Sequence, residues 1–278
     1  MGCDSTMNNI NNNRSHSNDC LKHYTVKISD GICRCVGKIH IVLLSALILI
    51  GTGTPTAVAY EVKKVDGAGS VRGRVHIGSA IPLVKRLPIF KNQGICGKEH
   101  RDIPLVQANG DGLLNAVVYL DKVSSGKPFP AAAKKITINQ LGCRFIPHLS
   151  VMANAGEMEI INSDTTLHNI HSYEMVGPIN YSNFSVSQPQ RGDIVTKRVV
   201  LKRGISLRVM CDAHDFMRGY VFVARNPYYA VVNGDGTFLI DNIPSGTYTI
   251  RTWHGTLGEK QNSVTVGPNG KVNIDFHY

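Results

Sequence analysis

A short segment late in the chain carries three side chains that can bind a soft metal ion. Cys211, His214 and Met217 follow one another at intervals of three residues, and His168 lies far upstream, just after an apolar stretch. One thiolate, two imidazoles and a weak thioether are the ligands of a type 1 copper site, which suits both Cu(I) and Cu(II). These four residues therefore predict one type 1 copper ion.

The elements that must position these ligands are strands. Residues 205–210 and 219–224 are apolar stretches on either side of the Cys211 loop, and residues 158–162 precede His168 in the same way. A tight loop between two strands can point its side chains at one centre, while the distant histidine closes that centre from the opposite sheet. The sequence predicts this arrangement for the four ligands.

Strand-like segments recur along the rest of the chain without a helical period. Short apolar runs separated by Gly, Pro and Asn are typical of β-sandwiches. We therefore expect an all-β fold. Within it, residues 196–201 and 205–210 are expected to form a hairpin around the Lys202-Arg203-Gly204 turn.

Residues 134–225 resemble the cupredoxin family. The Cys-x-x-His-x-x-Met loop has the short spacing of amicyanin-like members, shorter than in plastocyanin-like ones, and His168-Asn169 resembles the family's first ligand with the Asn that follows it. The resemblance implies a Greek-key β-sandwich with copper ligands His168, Cys211, His214 and Met217. The aspartates of this loop depart from the family pattern, which leaves the reduction potential open.

The same resemblance implies how electrons reach the copper ion. In cupredoxins the second histidine ligand, which lies in this loop, reaches the surface through an apolar patch. His214 is therefore expected to offer its outer ring edge there, flanked by Ala213 and Phe216, to a redox protein partner.

The carboxy-terminal residues 226–278 carry a second resemblance. The Asn233-Gly234-Asp235-Gly236 turn and the later Pro244-Ser245-Gly246 turn look like those of the carboxypeptidase regulatory-like, transthyretin-type β-sandwich. The first strands of that family are missing after residue 226, but similar ones occur within residues 60–133. We therefore expect a second small sandwich into which the cupredoxin is inserted. Two consecutive domains behind an irregular amino-terminal extension are the alternative.

The amino-terminal residues 1–59 are predicted to be a targeting segment. Lys38 precedes an apolar run from Ile39 to Ile50, and Ala57-Val58-Ala59 is a small-x-small cleavage pattern. Cleavage after Ala59 would send the protein to the periplasm or outside the cell. An uncleaved anchor is the alternative, and the polar stretch before Val36 also allows a misassigned start.

The charge of residues 60–278 indicates which classes of partner to expect, and their cysteines predict one disulfide. Residues 60–278 keep 25 Lys and Arg against 17 Asp and Glu, a formal charge of +8. This balance favours an acidic protein partner or association with an anionic membrane surface, and no motif indicates nucleic acid. Three cysteines remain, and because an oxidising compartment favours pairing, Cys96 and Cys143 are predicted to form a disulfide, leaving Cys211 for the metal.

Three further histidines have weaker signals. His171 could supply a hydrogen bond or a second metal contact, although a solvated position is favoured. His148 is expected to have a structural role. His254 lies beside the single Trp and could cap the domain interface or touch copper.

Three function classes remain open. Electron transfer by a type 1 copper protein is favoured over copper delivery or storage, and over a non-redox β-sandwich binding module. An enzyme is not expected, because the chain has no His-x-His pair for a multicopper cluster and no Gly-x-Ser-x-Gly or zinc-protease motif.

Overall fold

The computed structural model describes residues 60–78 and 83–278. The predicted targeting segment, residues 1–59, lies outside the described residues. Strands dominate the described part of the chain, and its two helices are single turns, Gln93–Cys96 (α1) and Ala131–Lys134 (α2). The expectation of an all-β fold is confirmed. Neither of these helices has the length or apolar character that a membrane crossing requires.

Eight strands within residues 60–78 and 83–130 precede α2. They are Glu61–Val62 (β1), Gly69–His76 (β2), Val84–Pro88 (β3), His100–Pro104 (β4), Ala108–Asn109 (β5), Gly112–Leu113 (β6), Ala116–Leu120 (β7) and Ser125–Gly126 (β8).

Nine strands follow α2 and contain the predicted ligands. They are Lys135–Gln140 (β9), Phe145–Ile146 (β10), Leu149–Ala153 (β11), Glu157–Asn162 (β12), His168–Val176 (β13), Ile179–Gln188 (β14), Ile194–Arg198 (β15), Ser206–Cys211 (β16) and Arg218–Ala224 (β17).

Six strands complete the chain. They are Tyr229–Val231 (β18), Thr237–Ile243 (β19), Gly246–His254 (β20), Gly258–Val266 (β21), Lys271–Asn273 (β22) and Phe276–His277 (β23).

Residues 135–224 form a first sandwich of two sheets. One sheet has the order β10-β9-β12-β15 and the other the order β11-β17-β16-β13-β14. Alternate residues of β12 and β16 are buried, including Met158, Ile160, Leu207 and Val209, because successive side chains of a strand point to opposite faces. These side chains fill one core between the two sheets.

The expected hairpin of residues 196–201 and 205–210 is wrong. β15 pairs with β12 in one sheet, whereas β16 pairs with β13 and β17 in the other. The chain crosses between the sheets and buries Val199 and Leu201 on the way. At the corner, the Glu174 carboxylate accepts hydrogen bonds from the N–H groups of Arg203 and Gly204, each at 2.6 Å. A Gly-containing turn between two apolar runs has the same pattern in a hairpin and in a crossover, so the sequence could not separate them.

A second sandwich is built from strands on both sides of the first. β7 lies between β18 and β20, and β21 extends this sheet. β2 lies between β19 and β6 in the facing sheet and also pairs with β22 and β23. Residues before and after the first sandwich therefore share both sheets and one core. This pairing is what the expected insertion requires.

The turn before β19 depends on a glycine. Gly236 has a φ of +88°, and an added Cβ would lie 2.6 Å from the Gly112 Cα. Only glycine allows both the positive φ and the close approach of the two backbones.

Aromatic side chains join the two sandwiches. The Trp253 ring of β20 packs on Phe222 and Tyr220 of β17, with ring centroids 5.8 and 6.0 Å apart. Tyr119 of β7 contacts Phe222 from the same side. A buried apolar contact of this kind fixes the orientation of the two sandwiches.

Residues 84–104 form a hairpin, called the cap below, that packs on the first sandwich. Its strands β3 and β4 pair with each other, and it inserts Ile89, Cys96 and Ile103 into the core of the first sandwich. The predicted disulfide is confirmed: Cys96 is bonded to Cys143, with Cα atoms 5.0 Å apart. The segment 60–133 is thus divided, since β2, β6 and β7 belong to the second sandwich and the cap belongs to the first.

Candidate metal centre

Strand pairing brings the distant histidine to the loop. β13 and β16 are antiparallel neighbours, with Ile170 opposite Cys211. His168 begins β13 two residues before Ile170, so it lies beside the loop that follows Cys211. A hydrogen bond of 3.1 Å from the Asp212 N–H to the Asn169 carbonyl oxygen extends this pairing into the loop.

Two consecutive turns shape the loop itself. The His214 N–H donates to the Cys211 carbonyl oxygen at 3.3 Å, and the Met217 N–H donates to the His214 carbonyl oxygen at 2.9 Å. Each turn advances the chain by three residues and returns it to the same side. Cys211, His214 and Met217 are all buried as a result.

Three of the four predicted ligands meet with distances that suit a metal ion. The Cys211 Sγ lies 3.8 Å from the His168 Nδ1 and 3.7 Å from the His214 Nδ1. A sulfur and a nitrogen bound to one metal at roughly 2.3 and 2.0 Å, with an angle near 120°, lie about 3.7 Å apart. The site thus fits a trigonal ion between His168, Cys211 and His214. Met217 lies in the same core, where it is 1% exposed.

The outer nitrogen of each imidazole is held by a hydrogen bond. The His168 Nε2 lies 2.9 Å from an Asp164 carboxylate oxygen, and the His214 Nε2 lies 3.0 Å from the Asn92 Oδ1. Both oxygens accept, so each Nε2 carries the proton and each Nδ1 presents a lone pair towards the thiol. Such partners fix the orientation and tautomer of metal-binding histidines.

Burial favours the uncharged forms of Cys211 and His214 when no metal is bound. Burial raises the pKa of the Cys211 thiol, against N–H hydrogen bonds that favour the thiolate, one of them from Asn169 at 3.3 Å. Burial, together with His168, lowers the pKa of His214. A thiol and a neutral imidazole are therefore ready to bind, and binding of a metal ion would displace the thiol proton.

Asp164 is the buried anion of the site. Burial opposes its ionisation, but hydrogen bonds from the Cys143 N–H, His168 and the Gly142 N–H outweigh burial and lower the pKa of the Asp164 carboxyl. The carboxylate therefore places a negative charge beside His168. It also links this histidine to the backbone of the disulfide-bonded Cys143.

The expectation that the His214 ring edge reaches the surface is wrong. His214 is 2% exposed, because Asn92 of the cap covers its outer nitrogen. Asn92 is itself exposed, so one side chain separates the imidazole from solvent. A surface depression beside it is lined by cap residues Pro88, Phe90 and Lys91 and by the loop residues 212–216.

The three histidines with weaker sequence signals, His148, His171 and His254, lie outside the group formed by His168, Cys211 and His214. His171 lies on β13, 3.2 Å from the Asp212 carboxylate and 2.8 Å from the Ser182 hydroxyl. His148 packs edge-on against Tyr220, and burial lowers its pKa. His254 is buried next to Trp253 of the interface, and its Nδ1 accepts hydrogen bonds from two N–H groups in the following turn.

Sequence reasoning missed three residues of the site. Asp164 precedes His168 by four residues, and an acidic residue so close to a predicted ligand was a usable signal. Asn92 lies 122 positions from His214, and nothing in the sequence links them. Arg101 donates to the carbonyl oxygens of both Cys96 and Cys143, and its guanidinium lies 5.0 Å from the Phe216 ring centroid.

Comparison with known proteins gives structural matches alone. No family model matches the chain, and no curated protein does. Among solved structures, it is similar to a purple cupredoxin from Nitrosopumilus maritimus, with 17% identity, a TM-score of 0.28 and coverage of 32% of this chain and 98% of that one. It is also similar to auracyanin from Roseiflexus castenholzii, with 13% identity, a TM-score of 0.28 and coverage of 34% and 99%.

A larger protein is also among the matches. A copper-containing nitrite reductase from Thermus scotoductus is 16% identical, with a TM-score of 0.26, and the match covers 37% of this chain but 24% of that one. Because identities and TM-scores are low, the candidate metal site is inferred from this chain's own strand order and side chains. The resemblance of residues 226–278 to the regulatory-like family stays a prediction.

Proposed function

We propose that this chain is an exported type 1 copper protein that carries electrons between redox partners. One copper ion would be held by His168, Cys211 and His214, with Met217 as the weak axial ligand. The observation that carries the proposal is the trigonal spacing of the thiol and the two Nδ1 atoms, 3.8 and 3.7 Å from Cys211 Sγ. When bound, copper supplies the one-electron step between Cu(II) and Cu(I).

The residues around the ligands support electron transfer. Asp164 and Asn92 hold the two imidazoles in the orientation that a metal requires, and all of the ligands are buried. Ligands that are already held in position need little rearrangement when the charge of the ion changes. The burial also leaves no ligand position facing solvent, and we assign the site no catalytic step.

The electron path that we propose runs through the cap. Asn92 touches the His214 Nε2 and reaches the surface, and Phe90 beside it is 85% exposed. A redox protein docking on the depression around Phe90 would come within one side chain of the imidazole. The formal charge of +8 on residues 60–278 favours a partner with an acidic face.

The Cys96–Cys143 disulfide supports the proposal that the protein is exported. A buried disulfide is typical of the periplasm or the extracellular space. The predicted cleavage after Ala59 would deliver the chain there. Association with an anionic membrane surface stays part of the proposal.

Visible absorption of the copper-loaded protein tests the assignment. We expect an intense thiolate-to-copper charge-transfer band that Cys211→Ser removes while the circular dichroism of the fold is retained. Met217→Leu should keep the band and change the reduction potential, because the axial bond is weak. Met158→Leu, a buried methionine of the same core, should change neither. A colourless wild-type copper complex would refute the assignment.

Copper delivery or storage by the same ligands is the second candidate. A carrier retains Cu(I) against a competing chelator and exchanges electrons quickly, whereas a delivery protein loses the ion quickly. The buried and hydrogen-bonded ligands favour the carrier. A non-redox binding module would show neither behaviour.

A further inference from the structure

The two sulfur atoms of the Cys96–Cys143 disulfide lie next to the candidate copper site. The Sγ atoms of Cys96 and Cys143 and one ring nitrogen of His214 all lie within 4.8 Å of one another. His214 is also within that distance of His168 and Cys211 in the first group. Two possible metal-binding groups therefore share one imidazole.

We infer that reduction of the Cys96–Cys143 disulfide creates a second copper(I) site, formed by the two released thiolates and His214. The inference rests on the proposed copper function, since this site would receive its ion from the Cys211 site. Soft thiolates favour Cu(I). Because His214 belongs to both groups, the ion can exchange its other ligands without leaving the protein.

The charges around the disulfide suit such a complex. Two thiolates and one Cu(I) carry a net negative charge. Arg101 is positive, and its guanidinium lies 5.0 Å from the ring centroid of Phe216, two residues from His214. Arg101 also donates to the carbonyl oxygens of Cys96 and Cys143, so the two thiols stay close to each other after the S–S bond is broken.

The redox step needs a dithiol reductant of the thiol–disulfide exchange class. Its thiolate attacks one sulfur of the Cys96–Cys143 bond to form a mixed disulfide, and its second thiol then displaces the protein sulfur. Two electrons pass to the two cysteine sulfurs, and the reductant leaves as a disulfide. Binding of Cu(I) releases the two thiol protons, and the copper ion stays Cu(I) throughout.

The cap provides the access that the reductant requires. Both cysteines are fully buried, so exchange needs local opening. The cap strands β3 and β4 pair with no other strand in the described part of the chain, which leaves the cap held by packing, hydrogen bonds and the disulfide. A cavity of about 480 Å³ at the edge of the cap is lined by Cys143 and also by Met217.

Copper(I) binding to the Cys211→Ser variant of the predicted mature chain, residues 60–278, tests the inference, because this variant lacks the type 1 thiolate and keeps Cys96 and Cys143 as its two cysteines. The protein is reduced with dithiothreitol, desalted under nitrogen and titrated with Cu(I) against a chromophoric chelator. We expect the reduced variant to bind one Cu(I) per chain and the oxidised variant to bind none above background. Equal binding by the two forms would overturn the second site.

A matched pair of variants separates a folded site from thiols in an unfolded chain. In the reduced Cys211→Ser background, His214→Ala should weaken Cu(I) binding, whereas His171→Ala should leave it unchanged. Equal affinities would mean that His214 is not a ligand, and would overturn the site. The outcome is independent of the blue colour: a wild-type protein with the charge-transfer band but no reduction-dependent binding refutes this inference alone, and a colourless one refutes the proposed function.

Discussion

Asn92 and His214 are 122 positions apart in the chain and are joined by a hydrogen bond of 3.0 Å between Oδ1 and Nε2. The bond connects the tip of an amino-terminal hairpin to the loop that carries three of the four predicted copper ligands. It orients the imidazole and also covers the edge that was expected to face a partner. The disulfide between Cys96 and Cys143 secures the same hairpin four residues further on.

Removing the Asn92 side chain should weaken copper binding. Asn92→Gly keeps the left-handed backbone conformation at this position, where φ is 53°, and deletes the amide that holds His214. Loss of such a partner typically lowers metal affinity by about 10–100-fold. Competition titration with a Cu(II) chelator measures the effect. Asn109→Gly, which removes a surface hydrogen bond to Gly234, is the control, and equal affinities in both variants would contradict the role of Asn92.

Neutralising Asp164 should raise the reduction potential of the bound copper. The buried carboxylate stabilises Cu(II) more than Cu(I) through His168, because its negative charge interacts more strongly with the more highly charged ion. Asp164→Asn retains an acceptor for the His168 Nε2 but removes the charge. Voltammetry of the copper-loaded protein measures the shift. Asp193→Asn, an aspartate of the same sandwich without a contact to a predicted ligand, should leave the potential unchanged.

A negative charge beside His214 should slow oxidation by an anionic reagent. Ala213 lines the depression around Phe90, so Ala213→Glu places a carboxylate where electrons are proposed to leave. Ferricyanide should then oxidise the Cu(I) protein more slowly, with the absorption spectrum unchanged, and salt should reduce the difference. Leu239→Glu makes the same change in net charge on an exposed strand of the second sandwich. If both variants slow the reaction equally, electrons do not leave at this depression.

Acid should destabilise the protein through His254. Burial, with a contribution from His148, lowers the pKa of His254 from 6.5 to about 4. Protonation therefore favours the unfolded chain, so stability is complete above about pH 6.5 and is lost as the pH falls towards 4, by at most roughly 3 kcal/mol. His254→Asn should flatten this dependence in urea unfolding of the metal-free protein, while His148 continues to contribute. The exposed His100→Asn should follow the wild-type curve. If the free energy of unfolding of His254→Asn depends on pH as steeply as that of the wild type, His254 is not a cause of the acid destabilisation.

The sequence alone was enough to predict the strands, the ligand loop and the disulfide. Short apolar runs separated by Gly, Pro and Asn predicted the strands, because these residues favour turns and interrupt a strand. The spacing of Cys211, His214 and Met217 predicted a loop that returns three side chains to one side, and two backbone turns do so. The pairing of Cys96 with Cys143 followed from counting three cysteines and reserving one for the metal.

Only the tertiary structure decided several other contacts between distant segments. Three features illustrate this: the crossing of the chain to the other sheet after β15, the packing of the cap over His214, and the hydrogen bond from His214 to Asn92. Each depends on residues far apart in the chain, and local sequence patterns do not indicate which distant residues come together. The 196–210 segment shows the limit most clearly. Its two strands and turn were predicted, but only the packing of Val199 and Leu201 in the core sends the chain to the other sheet.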